Sequence, residues 1–323
     1  MLAFGGALAV FGYWPPWSLF TGQDTAPAQT AEETQKSEPP VPRRTATQPV
    51  LTRSVTIAPV AMQLLAGPPG GGLPMVVTPG SSIRAAAAST TMVQPPRMPA
   101  APIPAVLRLP SGNGPFPAVI LLHGCGGPFT GTPAWAYRLN GWGYAALMPD
   151  SLTPRGVPTV CDPEDQPKVT PWDRVGDVGA AAAWLRSQPE IDPSRIAVLG
   201  LSHGGTTAAL AVQTPYAGIR LRAAVDYYGP CMEPRLQGSV PLLALAGEAD
   251  DWGNPAVACR AYGKALRPDQ PFEIHTYPGV YHAFDSGSSG PVIRAGHVLQ
   301  HDQTAAEDSF LRVHAFLDRW VKP

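Results

Sequence analysis

Runs of like charge are missing from this 323-residue chain: 23 Lys and Arg stand against 24 Asp and Glu, and no basic run exceeds the pair Arg43-Arg44. That balance excludes the basic surface a nucleic-acid partner requires. Cysteine is scarce too. Cys125, Cys161, Cys231 and Cys259 are the four present, and with no C-x-x-C among them the usual zinc and thioredoxin-like arrangements are excluded and no metal is expected. No internal repeat appears. What the chain has in excess is proline, 40 residues concentrated toward the N-terminus with Ala, Thr and Ser.

Three segments follow from composition. Residues 1–20 form an apolar N-terminal segment without a charge, reading as a signal-peptide core or a short membrane anchor. Ala26-Pro27-Ala28 is a weak small-x-small cleavage triplet, yet no Lys or Arg precedes the apolar run, so a disordered N-terminus is the alternative. Membrane contact is expected only through this segment. Residues 21–97 hold no sustained period of 3.6 or 2 and are broken by Gly67-Pro68-Pro69-Gly70-Gly71-Gly72. They read as a mobile, removable Pro/Ala/Thr-rich linker in which Arg53 to Val60 and Val76-Val77 are at most short strands. The folded unit is expected at 98–323. There, candidate strands at 105–109, 118–122, 144–148, 196–199, 223–228, 242–246 and 272–276 alternate with helical patterns at 134–140, 173–187, 255–266 and 304–320. Asp173 is the expected cap of the second helix, and Phe310, Val313, Leu317 and Trp320 form the stripe of the last. This alternation predicts an α/β fold with a mostly parallel central sheet flanked by helices.

The chemistry centres on Gly200-Leu201-Ser202-His203-Gly204, which follows the strand at 196–199 and opens a helix. A strand, a sharp turn and a helix in that order lift the Ser202 hydroxyl above the carboxyl edge of the sheet. A serine needs a base, and the base needs an orienting acid, in chain order Ser, Asp or Glu, His. Asp250 lies just past the strand at 242–246 and is preferred to Asp251, with Glu248 and Asp226 as outsiders. His282 is the expected base because it alone lies just past a strand. His275 and His314 fall inside elements, and His297 and His301 in loops. An oxyanion needs two main-chain N–H donors: His203 supplies one, and Cys125 or Gly124 in His123-Gly124-Cys125-Gly126-Gly127 the other, with Cys125 preferred.

From about Met98 to Val321 the chain resembles the dienelactone hydrolase family of α/β-hydrolases. The resemblance rests on 117–127, on Gly200-Leu201-Ser202-His203-Gly204-Gly205, on Gly247-Glu248-Ala249-Asp250-Asp251 and on Tyr281-His282-Ala283-Phe284. It implies Ser202, Asp250 and His282 as a catalytic triad. The enzymes that name the family use a cysteine where this chain has Ser202, which makes a serine carboxylesterase the better description.

The expected activity is metal-independent and cofactor-free hydrolysis of an ester or lactone through an acyl-enzyme. Rivals are a peptidase or acyltransferase on the same triad, or a non-catalytic envelope binding module. Only residues 229–240 stand where many α/β-hydrolases insert a lid. The site should therefore be open, walled by the loop 149–171, and suited to short, water-soluble substrates. Arg155 in that loop is the expected contact for a substrate carboxylate, against a structural ion pair with Asp150 or Asp162. Periplasmic or secreted localisation is expected, with a cytoplasmic enzyme of reduced thiols as the alternative. Export would pair Cys231 with Cys259 and Cys125 with Cys161.

Overall fold

Ala118 to Leu122 is apolar at every position because both faces of this strand are covered. Ala118, Ile120 and Leu122 turn into one core, and Val119 and Leu121 into the other. The computed structural model describes residues 50–58, 102–128, 130–213, 219–232 and 240–322. Residues 1–20, the Val76-Val77 pair and residues 233–239 of the short 229–240 segment lie outside these.

Among the described residues, eight strands form the main sheet: β1 (Thr52–Ile57), β2 (Ile103–Arg108), β3 (Phe116–Leu122), β4 (Ala145–Pro149), β5 (Ile191–Leu201), β6 (Ala224–Tyr227), β7 (Leu242–Gly247) and β8 (Phe272–Tyr277). Their spatial order is β1-β2-β4-β3-β5-β6-β7-β8. β1 and β2 run antiparallel to their neighbours, and β4 through β8 pair in parallel. Helices α2 (Pro171–Arg186), α3 (His203–Val212) and α4 (Pro255–Ala265) cover one face, and α1 (Thr132–Gly141) and α5 (Gln303–Val321) the other.

The expected domain boundary at residue 98 needs correction. β1 comes from the segment read as linker, pairs with β2 from Thr52↔Arg108 to Ile57↔Ile103, and buries Ile57 completely. Arg53 adds an ion pair to Glu190 at 3.0 Å. Residues 52–57 alternate in burial, the signature of an edge strand with one covered face, and six residues were too few to stand out among the prolines.

Thr170, and not Asp173, caps α2. The Thr170 hydroxyl accepts the Asp173 N–H at 3.3 Å while the Asp173 carboxylate accepts the Thr170 N–H at 2.8 Å, a reciprocal capping box, and Pro171 occupies the first helical turn. On α5 the stripe is wider than expected: Val313, Phe316, Leu317 and Val321 are buried, and Phe310 and Trp320 only partly.

A small hairpin between the His282 loop and α5 was not foreseen. Its strands, β9 (Val292–Arg294) and β10 (His297–Leu299), are three residues each, and Ala295 and Gly296 turn between them at φ 48° and 85°. It is fastened to the His282 loop by a bridge from Leu299 to His282 and by the Gln300 N–H donating to the His282 carbonyl at 3.0 Å.

Candidate active site

β5 ends at Leu201, α3 begins at His203, and Ser202 between them is held at φ 54°, ψ −118°. A serine with positive φ is strained by about 1–3 kcal/mol. The surroundings enforce it: a Cβ on Gly200 would collide with the Gly204 carbonyl, and one on Gly204 would lie 2.6 and 2.7 Å from the carbonyl oxygens of His123 and Leu122. Glycine at these two positions lets strand, turn and neighbouring loop approach so closely.

The loops after β7 and β8 bring two further groups to Ser202. His282 places Nε2 2.9 Å from the Ser202 Oγ, and its Nδ1 lies 2.7 Å from Oδ2 of Asp250. Both side chains are buried, with Asp250 fully so. The other Asp250 oxygen accepts the Trp252 N–H at 2.9 Å, which fixes the carboxylate. The structure brings Ser202, His282 and Asp250 together, with the imidazole between the hydroxyl and the carboxylate. A hydroxyl beside an imidazole whose far nitrogen is held by a carboxylate is equipped for acyl transfer.

The alternatives lie elsewhere. Asp251 faces solvent and meets Nδ1 of His297 at 3.0 Å. Glu248 pairs with Arg260 and Thr276 on the surface. Asp226 is buried at the end of β6, where desolvation pushes its carboxyl well above the usual range and the Gly229 N–H donates to it at 2.8 Å. His275 packs beside Arg312, His314 stacks on Trp142, and His301 meets Gln303.

Cys125 and His203, the expected oxyanion donors, both border the cavity at Ser202, and a Cβ on Gly124 would meet the Ser202 Cβ at 3.5 Å. As the first residue of α3, His203 has a main-chain N–H with no acceptor in its own helix. The Cys125 carbonyl accepts the Val160 N–H at 2.9 Å, and a disulfide joins Cys125 to Cys161. The second disulfide joins Cys231 to Cys259. Cys231, Cys259 and Asp226 cluster closely enough to suggest metal ligands, but the two sulfurs are bonded to each other and the carboxylate stands alone.

The cavity has a volume of about 670 Å³. Val160, Gln166, Pro167 and Thr170 from the loop 149–171 form one wall, as expected, and Trp252 and His297 border it as well. Arg155 requires correction. Its guanidinium holds the fully buried Asp177 carboxylate at 2.8 and 3.0 Å and the Ser151 carbonyl at 2.6 Å, and it does not border this cavity. The buried acid lies 22 residues further on, beyond the range of the local pairs weighed from sequence.

Residues missed by sequence reasoning complete the surroundings. Trp252 stacks on His297 with planes 16° apart and also packs on His282 at 5.1 Å. The Tyr228 ring meets His282 edge-on, and its hydroxyl donates to Asp285 at 2.9 Å. Arg294, exposed at the end of β9, borders a recess shared with Ser202, His282 and Gly126. Three-residue strands carry too little pattern to reveal the hairpin that places Arg294 and His297.

The profile of the dienelactone hydrolase family matches residues 103–321, starting at β2 and ending at the last residue of α5. The chain belongs to the dienelactone hydrolase family. A Bradyrhizobium protein named as a probable 2-oxo-3-(5-oxofuran-2-ylidene)propanoate lactonase is 27% identical over 164 residues, covering 44% of this chain and 62% of its own. An uncharacterized protein of Mycobacterium tuberculosis is 30% identical over 169 residues, covering 46% of this chain and 56% of its own. The matches therefore span less than two thirds of these curated relatives. Among solved structures, a candidate dienelactone hydrolase from Klebsiella pneumoniae subsp. pneumoniae superposes with a TM-score of 0.56 at 24% identity, covering 68% of this chain and 94% of that one. An α/β-hydrolase from Penicillium sp. sh18 gives 0.52 at 14% identity, over 69% and 95%. The family member has the α/β-hydrolase fold.

Proposed function

We propose that this dienelactone hydrolase family member is a serine hydrolase of small, soluble carboxylic esters or lactones. One observation carries the reading: the Ser202 hydroxyl lies 2.9 Å from a His282 imidazole that Asp250 holds at 2.7 Å. His282 takes the Ser202 proton as the hydroxyl attacks the carbonyl carbon, and Asp250 steadies the imidazolium. The main-chain N–H groups of His203 and Cys125 receive the oxyanion. His282 then protonates the leaving oxygen, and a water deprotonated by the same imidazole releases the acid from Ser202.

Substrate size follows from the walls. The cavity of about 670 Å³ is bordered by loop residues such as Val160, Pro167 and Met232, which suits short acyl groups. The lactonase name of the Bradyrhizobium relative supports including lactones. A carboxylate on the substrate would meet Arg294 or His297. The two disulfides support a working place outside the reducing cytoplasm, in the periplasm or beyond.

The test is a stopped-flow measurement with p-nitrophenyl acetate. A burst of p-nitrophenol equal to the enzyme concentration, lost in Ser202→Ala, supports the acyl-enzyme. Rates that rise toward long acyl chains would contradict the assignment to short substrates.

A further inference from the structure

One fully buried cation among the described residues serves no step of the reaction proposed above. Arg174, on the first turn of α2, is wholly shielded from solvent, a costly position for a cation; Nε has no hydrogen-bond partner among the described residues, so the two terminal nitrogens carry its pairing. Asp177, one turn along, is the obvious partner, yet both of its oxygens are held by Arg155. Arg174 instead donates from Nη1 to Nδ1 of His203 at 2.9 Å and from Nη2 to the His123 carbonyl at 2.9 Å. Burial lowers its pKa to about 10, which leaves it cationic at neutral pH. The His203 imidazole is driven to about 3 by burial and by Arg174, so it stays neutral and accepts through Nδ1.

These two acceptors belong to the two halves of the oxyanion hole. His203 carries one main-chain donor, and the His123 carbonyl lies in the peptide immediately before the one that bears the Cys125 N–H. We propose that Arg174 is a positioning residue that sets the two oxyanion donors relative to each other by gripping the β3–α1 loop and the nucleophile turn with one guanidinium. The proposal rests on the serine hydrolase reading. A fork of fixed geometry suits the task better than a flexible ammonium. Donors placed for a developing charge lose much of their effect when displaced by about 1 Å. The same loop and turn already touch where Gly204 packs on the His123 carbonyl, so a guanidinium bridging them governs a narrow gap.

The test compares Arg174→Met, Arg174→Lys, His203→Ala and the double variant Arg174→Met/His203→Ala on p-nitrophenyl acetate, with thermal melting in parallel. Arg174→Met should lower kcat by about 10²-fold with KM nearly unchanged. A trifluoromethyl ketone, which forms a tetrahedral adduct on Ser202, should lose affinity in proportion to kcat/KM, while binding of the product acid stays constant. His203→Ala keeps its main-chain N–H and should show a smaller loss of the same kind. The double variant should be no worse than Arg174→Met, because both changes remove one coupling. Arg174→Lys should recover only part of kcat. A folded Arg174→Met with wild-type kcat, or a loss of kcat without loss of ketone affinity, overturns the proposal. If Arg174→Met does not fold, His203→Ala decides by the same two criteria. A wild-type protein that neither turns over esters nor binds the ketone overturns the hydrolase reading itself, a result distinct from wild-type activity that is insensitive to Arg174.

Discussion

Arg155 grips Asp177 with both ends of its guanidinium, at 2.8 and 3.0 Å, and the carboxylate it holds is completely buried. Burial pushes the Asp177 carboxyl up, and the Arg155 contact opposes that shift. Removing the arginine leaves an unpaired acid inside the protein. Arg155→Ala should therefore cost about 3–5 kcal/mol of stability, read by urea denaturation. The ratio of KM values for a carboxylate-bearing ester and its neutral isostere should not move. A changed ratio in a stable variant would return Arg155 to the substrate.

The edge strand gives a second prediction. A chain starting at Met98 lacks β1, uncovers the hydrogen-bonding edge of β2 and loses the burial of Ile57. The lost side-chain burial alone is worth about 1.5–3 kcal/mol. Denaturation midpoints of chains starting at Val50 and at Met98 check this. Equal midpoints would show that β1 adds nothing.

Arg294 is a cation in the recess shared by Ser202 and His282. Arg294→Ala should raise KM several-fold for an ester that carries a carboxylate while leaving kcat and neutral esters nearly unchanged, the pattern of lost uniform binding. Steady-state kinetics on a matched pair of substrates is the measurement. Equal effects on both would mean that the hairpin, and not its charge, matters.

Asp226 offers a test with a definite pH sign. Its folded pKa is raised by burial, so the folded protein keeps a proton that the unfolded chain releases above about pH 3.9. Its contribution is complete below that value and declines as pH rises toward the folded pKa. Asp226→Asn removes the titration, so the wild type should lose stability relative to the variant by up to about 1.4 kcal/mol per pH unit across that window. Denaturation at pH 5 and 7 measures it. Esterase activity should survive, whereas Asp250→Asn should lose about 10⁴-fold in kcat, as expected where the acid orients the base.

Most of the sheet and the three central site residues were legible because their signals are local. Buried parallel strands such as 118–122 read as apolar runs; Ser202 sits directly after one, and Asp250 and His282 fall in the loops that follow β7 and the half-buried β8. The disulfides were legible only through where their cysteines fall relative to strands. Harder features depend on partners distant in sequence. Arg174 meets His203 29 residues on, and the pattern of α2 marks it merely as one of the charges in its first turns. β1 joins the sheet across 45 residues of intervening chain, so its alternation carried no hint of β2. The hairpin that delivers Arg294 and His297 has strands too short for any period to register.

On the function proposed above, Ser202 is a nucleophile activated by His282. Mass spectrometry of the intact protein and its peptides after treatment with an alkyl fluorophosphonate tests it most directly. One phosphonyl adduct per chain is expected, located on Ser202, absent from Ser202→Ala and formed far more slowly in His282→Ala. A folded wild-type protein that takes up no adduct, or a Ser202→Ala protein labelled as fast as the wild type, would contradict it.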